Sequence, residues 1–303
     1  MTDNVSAKFY RLLTLMIVLL GVMGIGSIGL NLATKYWQTK QLGQMQQARD
    51  LVAQGKYQSA IAAYDRLLET DIAQPQILWT NRGYAYLGLK QSQPALKSCL
   101  QATEIDPKAA LAWNCQGEAQ FYLGNNETAL TAFERAIAIN PQNEIFKLNQ
   151  SQILQDLGKH SQAIKVNQEA IALLESQSPA DDILALAYKR QGQSWLELEK
   201  NKEALAAFKK SLTYQPEDLA VQQGKAVTLY RLGKYSQAIS TSNKILERQD
   251  LTTEQQAISW LYKGISLCQT SQASAADRAF ARVLKLSQDP LSRKIAKAGC
   301  GIR

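Results

Sequence analysis

The sequence predicts an all-α protein, a superhelical solenoid of about seven helix-turn-helix repeats behind one N-terminal transmembrane helix. Three observations carry that reading. Seven alanines, Ala60, Ala95, Ala129, Ala163, Ala204, Ala238 and Ala276, recur at spacings of mostly 34 residues. Each follows a small residue by 12 positions: Ala48, Gly83, Gly117, Ser151, Gly192, Ala226 and Gly264. Between Arg11 and Lys35 runs a charge-free, largely apolar stretch of 23 residues. A fixed period with small residues at fixed offsets means one structural unit stacked many times.

Length and composition agree with this. At 303 residues an ordinary chain makes about two domains, but a solenoid grows along one axis without a single central core. Apolar content of 46% and charge of 20% fit a folded chain. The 7 prolines and 17 glycines are too few for a linker-rich or all-β protein. A net charge of +8 favours acidic partners or anionic headgroups, or is simply a solvated surface. The tightest basic cluster is Arg293, Lys294 and Lys297.

Residues 1–11 form a tail and 12–34 the membrane span, LLTLMIVLLGVMGIGSIGLNLAT. At helical rise this run reaches roughly 34 Å, enough to cross a hydrocarbon core. Tyr10 on one side and Tyr36 with Trp37 on the other resemble interfacial belts. The run is too long for a cleaved signal peptide, and no clear A-x-A site follows it. Gly24, Gly26 and Gly29 spell GxGxxG, but without a preceding strand this is no dinucleotide fingerprint. Gly29 and Ala33 make one small-xxx-small pair, a weak helix-pairing signal. Lys8 and Arg11 precede the span, and Lys35, Lys40 and Arg49 follow it. The positive-inside count therefore leans to a cytoplasmic C-terminal side.

A juxtamembrane linker, 35–40, leads into the array at 41–290, with Tyr36 to Gln54 expected as a helix running on from the membrane. Repeat boundaries fall near 41–75, 76–109, 110–143, 144–177, 185–218, 219–252 and 257–290. Each unit is two antiparallel helices. Positions 8 and 20 sit where they cross, so only small side chains allow close packing. Trp79, Trp113, Tyr188 and Trp260 hold position 4, and Tyr64, Phe133, Phe208 and Phe280 hold position 24; these fill the space between units. Gly55, Gly124, Gly158 and Gly233 at position 15 suit the left-handed end of the first helix. Pro107, Pro141 and Pro216 at position 32 stop the second. Repeats four and six depart from the pattern. Lys147 and Gln222 replace the aromatic at position 4, and Asn167 and Ser242 replace it at position 24, which predicts looser packing or a bend. Residues 291–303 are expected to cover the last apolar face.

The four cysteines, Cys99, Cys115, Cys268 and Cys300, show neither zinc-site nor secreted-framework spacing. They are read as reduced thiols, which points to a reducing compartment. His160 is the one histidine and is expected at a turn or on the surface. No Walker loop, GxSxG, HExxH or supported acid pair is present. Asp181 and Asp182 fit a helix N-cap. The chain is therefore not expected to be an enzyme, and no cofactor, metal or small-molecule substrate is implied. Nucleic acid is not expected as a partner, because basic residues are scattered and no recognition module appears.

The pattern resembles the tetratricopeptide repeat (TPR) family from about Gln41 to Pro290, most closely in stretches such as LAWNCQGEAQFYLGNNETALTAFERAIAINPQN. The resemblance implies that first helices line a concave, client-binding groove. Its expected lining is Thr80, Asn81 and Tyr84, then Asn114, Glu118, Phe121 and Tyr122, then Asn149, Gln152 and Gln155, then Lys189, Arg190 and Gln193, and finally Tyr230 and Arg231. Amides can bond an extended peptide backbone without demanding a sequence. Lys189, Arg190 and Arg231 are expected to receive an acidic or carboxylate-bearing part of a client. The lysine–asparagine–asparagine–lysine–arginine set by which some family members grip a terminal carboxylate is absent in this register.

The expected function is a membrane-anchored scaffold or assembly factor that captures protein clients, some acidic or membrane-associated. The layout is similar to membrane-tethered TPR proteins of cyanobacteria and plastids, including one that binds protochlorophyllide oxidoreductase. That similarity implies photosystem assembly or tethering of chlorophyll-synthesis enzymes at thylakoids, with the array facing the cytoplasm from a thylakoid or plasma membrane. The alternatives are an envelope protein serving secretion, pilus or cell-wall assembly, with repeats outside the cytoplasm, and a regulator binding a soluble enzyme or receptor domain.

Overall fold

The computed structural model describes residues 26–70, 72–176 and 181–301. Among them the chain forms fifteen α-helices and no strand. The order is α1 (Gly26–Ala53), α2 (Tyr57–Leu68), α3 (Pro75–Gly88), α4 (Ser92–Ile105) and α5 (Ala110–Tyr122) in a first compact unit ending at Asn125. A second unit begins at Asn126. It holds α6 (Asn126–Ile139), α7 (Glu144–Asp156), α8 (His160–Ser176), α9 (Asp181–Glu197) and α10 (Asn201–Tyr214). It continues with α11 (Leu219–Arg231), α12 (Tyr235–Leu246), α13 (Thr253–Gln269), α14 (Ala273–Leu286) and α15 (Pro290–Ala298).

Of the expected membrane span, residues 12–25 lie outside the described residues. No described helix is long and apolar enough to cross a membrane. Residues 35–40 are an unbroken part of α1, which runs into the first repeat.

In the repeats that lie within one unit, the small-residue pattern lies where the two helices of a repeat cross. All seven recurrent alanines are fully buried, and their partners Ala48, Gly83, Gly117, Ser151, Gly192, Ala226 and Gly264 are buried too. A Cβ built on Gly192 would come within 2.6 Å of the Phe208 ring, and one on Gly264 within 2.7 Å of Phe280. The aromatic at position 24 thus presses on the small residue at position 8 of its own repeat.

First helices end in the left-handed region at position 15. Gly55, Gly124, Gly158 and Gly233 have φ between 70 and 80°. Lys90, Glu199 and Ser271 hold the same place in the other repeats, at φ 59, 56 and 57°. A non-glycine there bears a steric cost of about 1–2 kcal/mol. Each proline at position 32 follows its helix by two residues, as Pro107 follows Ile105. Some helix starts are capped by side chains: Asn143 accepts from the Phe146 N–H at 3.0 Å, and Asp218 from the Val221 N–H at 3.1 Å. Thr252 and Gln255 cap each other's backbone reciprocally. Asp181 and Asp182 open α9, where the Asp182 carboxylate accepts from the Ile183 N–H at 3.0 Å.

Repeats four and six fill their irregular positions with hydrogen bonds. In repeat three the Trp113 indole donates to the Pro107 carbonyl at 2.9 Å. The Gln222 amide, at the same repeat position, makes the same bond to Pro216 at 2.7 Å. Lys147 is nearly buried and pairs with Glu169 at 2.6 Å. Asn167, 1% exposed, donates to the Ala187 carbonyl at 2.7 Å. Ser242 is also buried, although its hydroxyl has no partner. Lys147, Asn167 and Gln222 thus each bond a group outside their own helix, while Asn167 Oδ1 and the Ser242 hydroxyl are buried without a partner.

The expectation of reduced thiols is overturned. Cys99 on α4 and Cys115 on α5 form a disulfide with a Cα separation of 5.7 Å, and Cys268 and Cys300 form a second at 5.2 Å. No cysteine is free. Sequence separations of 16 and 32 residues hide this proximity, which arises only when helices of successive hairpins pack. The second bridge ties the segment after α15 to α13. There α15 buries Ala296 against Phe280 and Val283 of α14 and Leu261 of α13.

Candidate functional site

The face expected to bind clients is built from the first helices of the repeats. In the first unit, α3 and α5 bring Tyr84, Asn114 and Glu118 together. The Asn114 amide donates to the Tyr84 hydroxyl at 2.8 Å and to Glu118 Oε1 at 2.6 Å. The Tyr84 hydroxyl in turn donates to the Leu111 carbonyl at 3.2 Å. Burial raises the Tyr84 pKa above the ordinary phenol value, and the nearby Glu118 charge raises it further. Asn81 Nδ2 is buried and has no partner. Thr80 is buried and spends its hydroxyl on Gln76 of its own helix. Tyr122 is 63% exposed, its ring 5.2 Å from that of Phe121. Arg82 of α3 braces α2 and α4: its guanidinium meets Asp65 at 2.7 Å and the Ser98 hydroxyl at 2.8 Å.

In the second unit two of the three expected cations, Lys189 and Arg190, are half-buried, and Arg231 is exposed. Lys189 pairs with Asp218 at 3.0 Å, both half-buried. Arg190 Nη1 donates to the Leu148 carbonyl at 2.8 Å, while its Nε is buried without a partner. Burial pulls the Arg190 pKa below the ordinary guanidinium value. Arg231 donates to the Leu196 carbonyl at 3.1 Å. Arg190 and Arg231 thus each bond a group in an adjacent repeat, and Lys189 bonds the residue that caps α11.

The amides behave likewise. Gln155 Nε2 donates to the Arg190 carbonyl at 2.6 Å and to the Ser194 hydroxyl at 2.7 Å. Gln223 repeats the arrangement on the Gln255 carbonyl at 2.9 Å and the Ser259 hydroxyl at 3.2 Å. Gln152 donates within its helix to Asp156 at 3.0 Å, and Gln193 is exposed. Asn149 lies on α7 and is half-buried. Tyr230 packs its ring 5.8 Å from Tyr235 and 6.1 Å from Tyr262. His160 opens α8, half-buried.

Sequence reasoning missed a second cluster, away from this face. Lys209 on α10, Lys225 on α11 and Lys244 on α12 lie near one another, and a cleft of about 500 Å³ opens beside Lys225 and Lys244. Burial, together with the Lys209 and Lys244 charges, lowers the Lys225 pKa. No motif marks these lysines, since they lie far apart along the chain.

Models of the tetratricopeptide repeat family match residues 45–110, 110–143 and 196–259, together more than half of the chain. No curated protein matches the sequence. Several solved structures share the fold. PilW, described as a widely conserved type IV pilus biogenesis factor, matches at TM-score 0.62 and 22% identity, covering 74% of this chain and 99% of PilW. PilF of Pseudomonas aeruginosa matches at TM-score 0.61 and 19% identity, over 74% of this chain and 96% of that one. A tetratricopeptide repeat protein of Parabacteroides merdae matches at TM-score 0.56 and 16% identity, over 86% and 98%.

Proposed function

We propose that this chain, which belongs to the tetratricopeptide repeat family, is a protein-binding assembly scaffold held at a membrane by its N-terminal apolar segment, with its repeats on the oxidising side. Repeats of this family are generally interaction surfaces rather than catalytic sites. The single observation that carries the choice of compartment is the pair of disulfides, Cys99–Cys115 and Cys268–Cys300. Disulfides persist in periplasm-like and secreted settings and are rare where thiols are kept reduced. This favours the envelope reading, with clients in secretion, pilus or cell-wall assembly, over an array facing the cytoplasm at a thylakoid or plasma membrane. The fold shared with a pilus biogenesis factor agrees with that setting but names no client.

The mechanism is multivalent contact along a preformed helical surface. Anchoring raises the effective concentration for membrane-associated clients. Protease added to intact spheroplasts tests the orientation. Digestion of the repeats supports the oxidising side, whereas repeats that stay whole until the membrane is lysed would refute it. Crosslinking in native membranes followed by co-purification tests the scaffold role. Envelope-assembly proteins are expected, and photosystem subunits or pigment enzymes would restore the thylakoid setting.

A further inference from the structure

Three consecutive helices of the second unit, α10, α11 and α12, each contribute one lysine to the same region: Lys209, Lys225 and Lys244. Among the described residues none of the three has a carboxylate within ion-pair distance, although five other cations of the chain do. The nearest acidic side chain in the lining, Glu217, is held at 2.9 Å by Arg248 and does not neutralise them. Like charges brought together without a counterion oppose folding, and an acidic ligand would relieve that repulsion.

The space beside Lys225 and Lys244 is a cleft of about 500 Å³. Its lining includes the half-buried Leu212 and Thr241 and the exposed Ser240, with Leu229 almost fully buried. Thr241 spends its hydroxyl hydrogen on the Gln237 carbonyl. The cleft therefore offers two ammonium donors beside one partly exposed leucine, Leu212. That combination suits a carboxylate followed by an apolar side chain. Its lysines also differ from Lys189 of the expected client face, which is ion-paired with Asp218.

We propose that the cleft between α10, α11 and α12 is a docking site for an acidic, partly apolar peptide segment of a client, with Lys225 and Lys244 gripping its carboxylates and Lys209 adding to the local field. This rests on the scaffold reading and gives it a surface and a partner chemistry.

The test uses the full chain in detergent and a fluorescein-labelled peptide of alternating glutamate and leucine, followed by anisotropy. The wild type is expected to bind, with affinity falling as salt rises. The K225Q/K244Q variant is expected to bind at least tenfold more weakly, with unchanged helicity by circular dichroism. K209Q alone is expected to weaken binding by a smaller factor, which keeps the test informative if the double variant misfolds. K294Q/K297Q, at the C-terminal basic cluster, serves as the control for diffuse charge attraction and is expected to bind like wild type.

Equal binding by K225Q/K244Q, an equal loss in K294Q/K297Q, or no peptide binding by the wild type at low salt would each overturn the site. So would a lysine-dependent affinity for phosphatidylglycerol vesicles with none for the peptide, because the occupant would then be a lipid surface. The scaffold reading is judged separately by client crosslinking. Clients recovered equally by wild type and K225Q/K244Q would overturn the site and leave the scaffold standing.

Discussion

Ser151 donates its hydroxyl to the main-chain carbonyl of Ala163 at 3.1 Å. Both residues are buried, and they are the small pair of repeat four. Other repeats place glycine or alanine at the first of these positions. Serine is admitted because its one polar atom finds a partner on the facing helix, and a buried hydroxyl without one would be destabilising. The bond shows directly that positions 8 and 20 meet at the crossing of the two helices.

Enlarging either side of a crossing should therefore cost stability. Gly192→Ala, whose added Cβ would meet the Phe208 ring at 2.6 Å, and Ala163→Leu are each expected to destabilise by about 1–3 kcal/mol through overpacking. Chemical denaturation of the full chain checks this. A variant as stable as wild type would mean the helices have room at the crossing.

Position 15 gives the opposite prediction. Lys90, Glu199 and Ser271 hold positive φ without being glycine. Lys90→Gly and Glu199→Gly are each expected to stabilise by about 0.5–1 kcal/mol, as relief of left-handed strain outweighs the added freedom of the unfolded chain. Thermal melts of the single variants measure this. A loss of stability would place those residues outside strain.

Much of this fold is legible in the sequence because its causes are local and steric. Alanine, glycine and proline at fixed offsets report a helix crossing, a left-handed helix end and a helix stop, and the structure places each there. The cysteine pairs are not legible, since Cys268 and Cys300 meet only after α15 has folded back on the last hairpin. The client face is legible only as a list of side chains. Gln155, Lys189, Arg190 and Arg231 look like free donors in sequence, yet each bonds a group 29 to 42 residues away. Contacts between repeats recur near the repeat length, and nothing in a single repeat reveals them.

The bridge at the C-terminal cap should matter for stability. Cys300→Ser opens a loop of 32 residues, for which loop-closure entropy predicts a loss of about 2–4 kcal/mol in the last hairpin. Hydrogen exchange is expected to show faster opening of α13 to α15 with α7 and α8 unaffected. Unchanged exchange would mean packing of Ala296 and Ile295 alone secures the cap.

Alkaline pH should loosen both units. Burial raises the pKa of Tyr84 and Tyr188, with Glu118 and Glu175 adding to it; Tyr188 also donates to Glu175 at 2.6 Å. A folded-state pKa above the unfolded value means the contribution is fully present below pH about 10 and is lost as pH rises beyond it. Phenolate absorbance should therefore show late-titrating tyrosines, one fewer in Tyr84→Phe. Uniform titration near the ordinary phenol value would contradict the buried Tyr84–Asn114–Glu118 cluster.

The account's central claim, a protein-binding repeat scaffold standing on the oxidising side of a membrane, is tested most directly by the thiol state of the protein in its native cells. Cells are quenched with acid, free thiols alkylated, and the peptides read by mass spectrometry without reduction. The prediction is two crosslinked peptides, Cys99 with Cys115 and Cys268 with Cys300, and no alkylated cysteine. Four alkylated cysteines would contradict it and return the repeats to a reducing compartment.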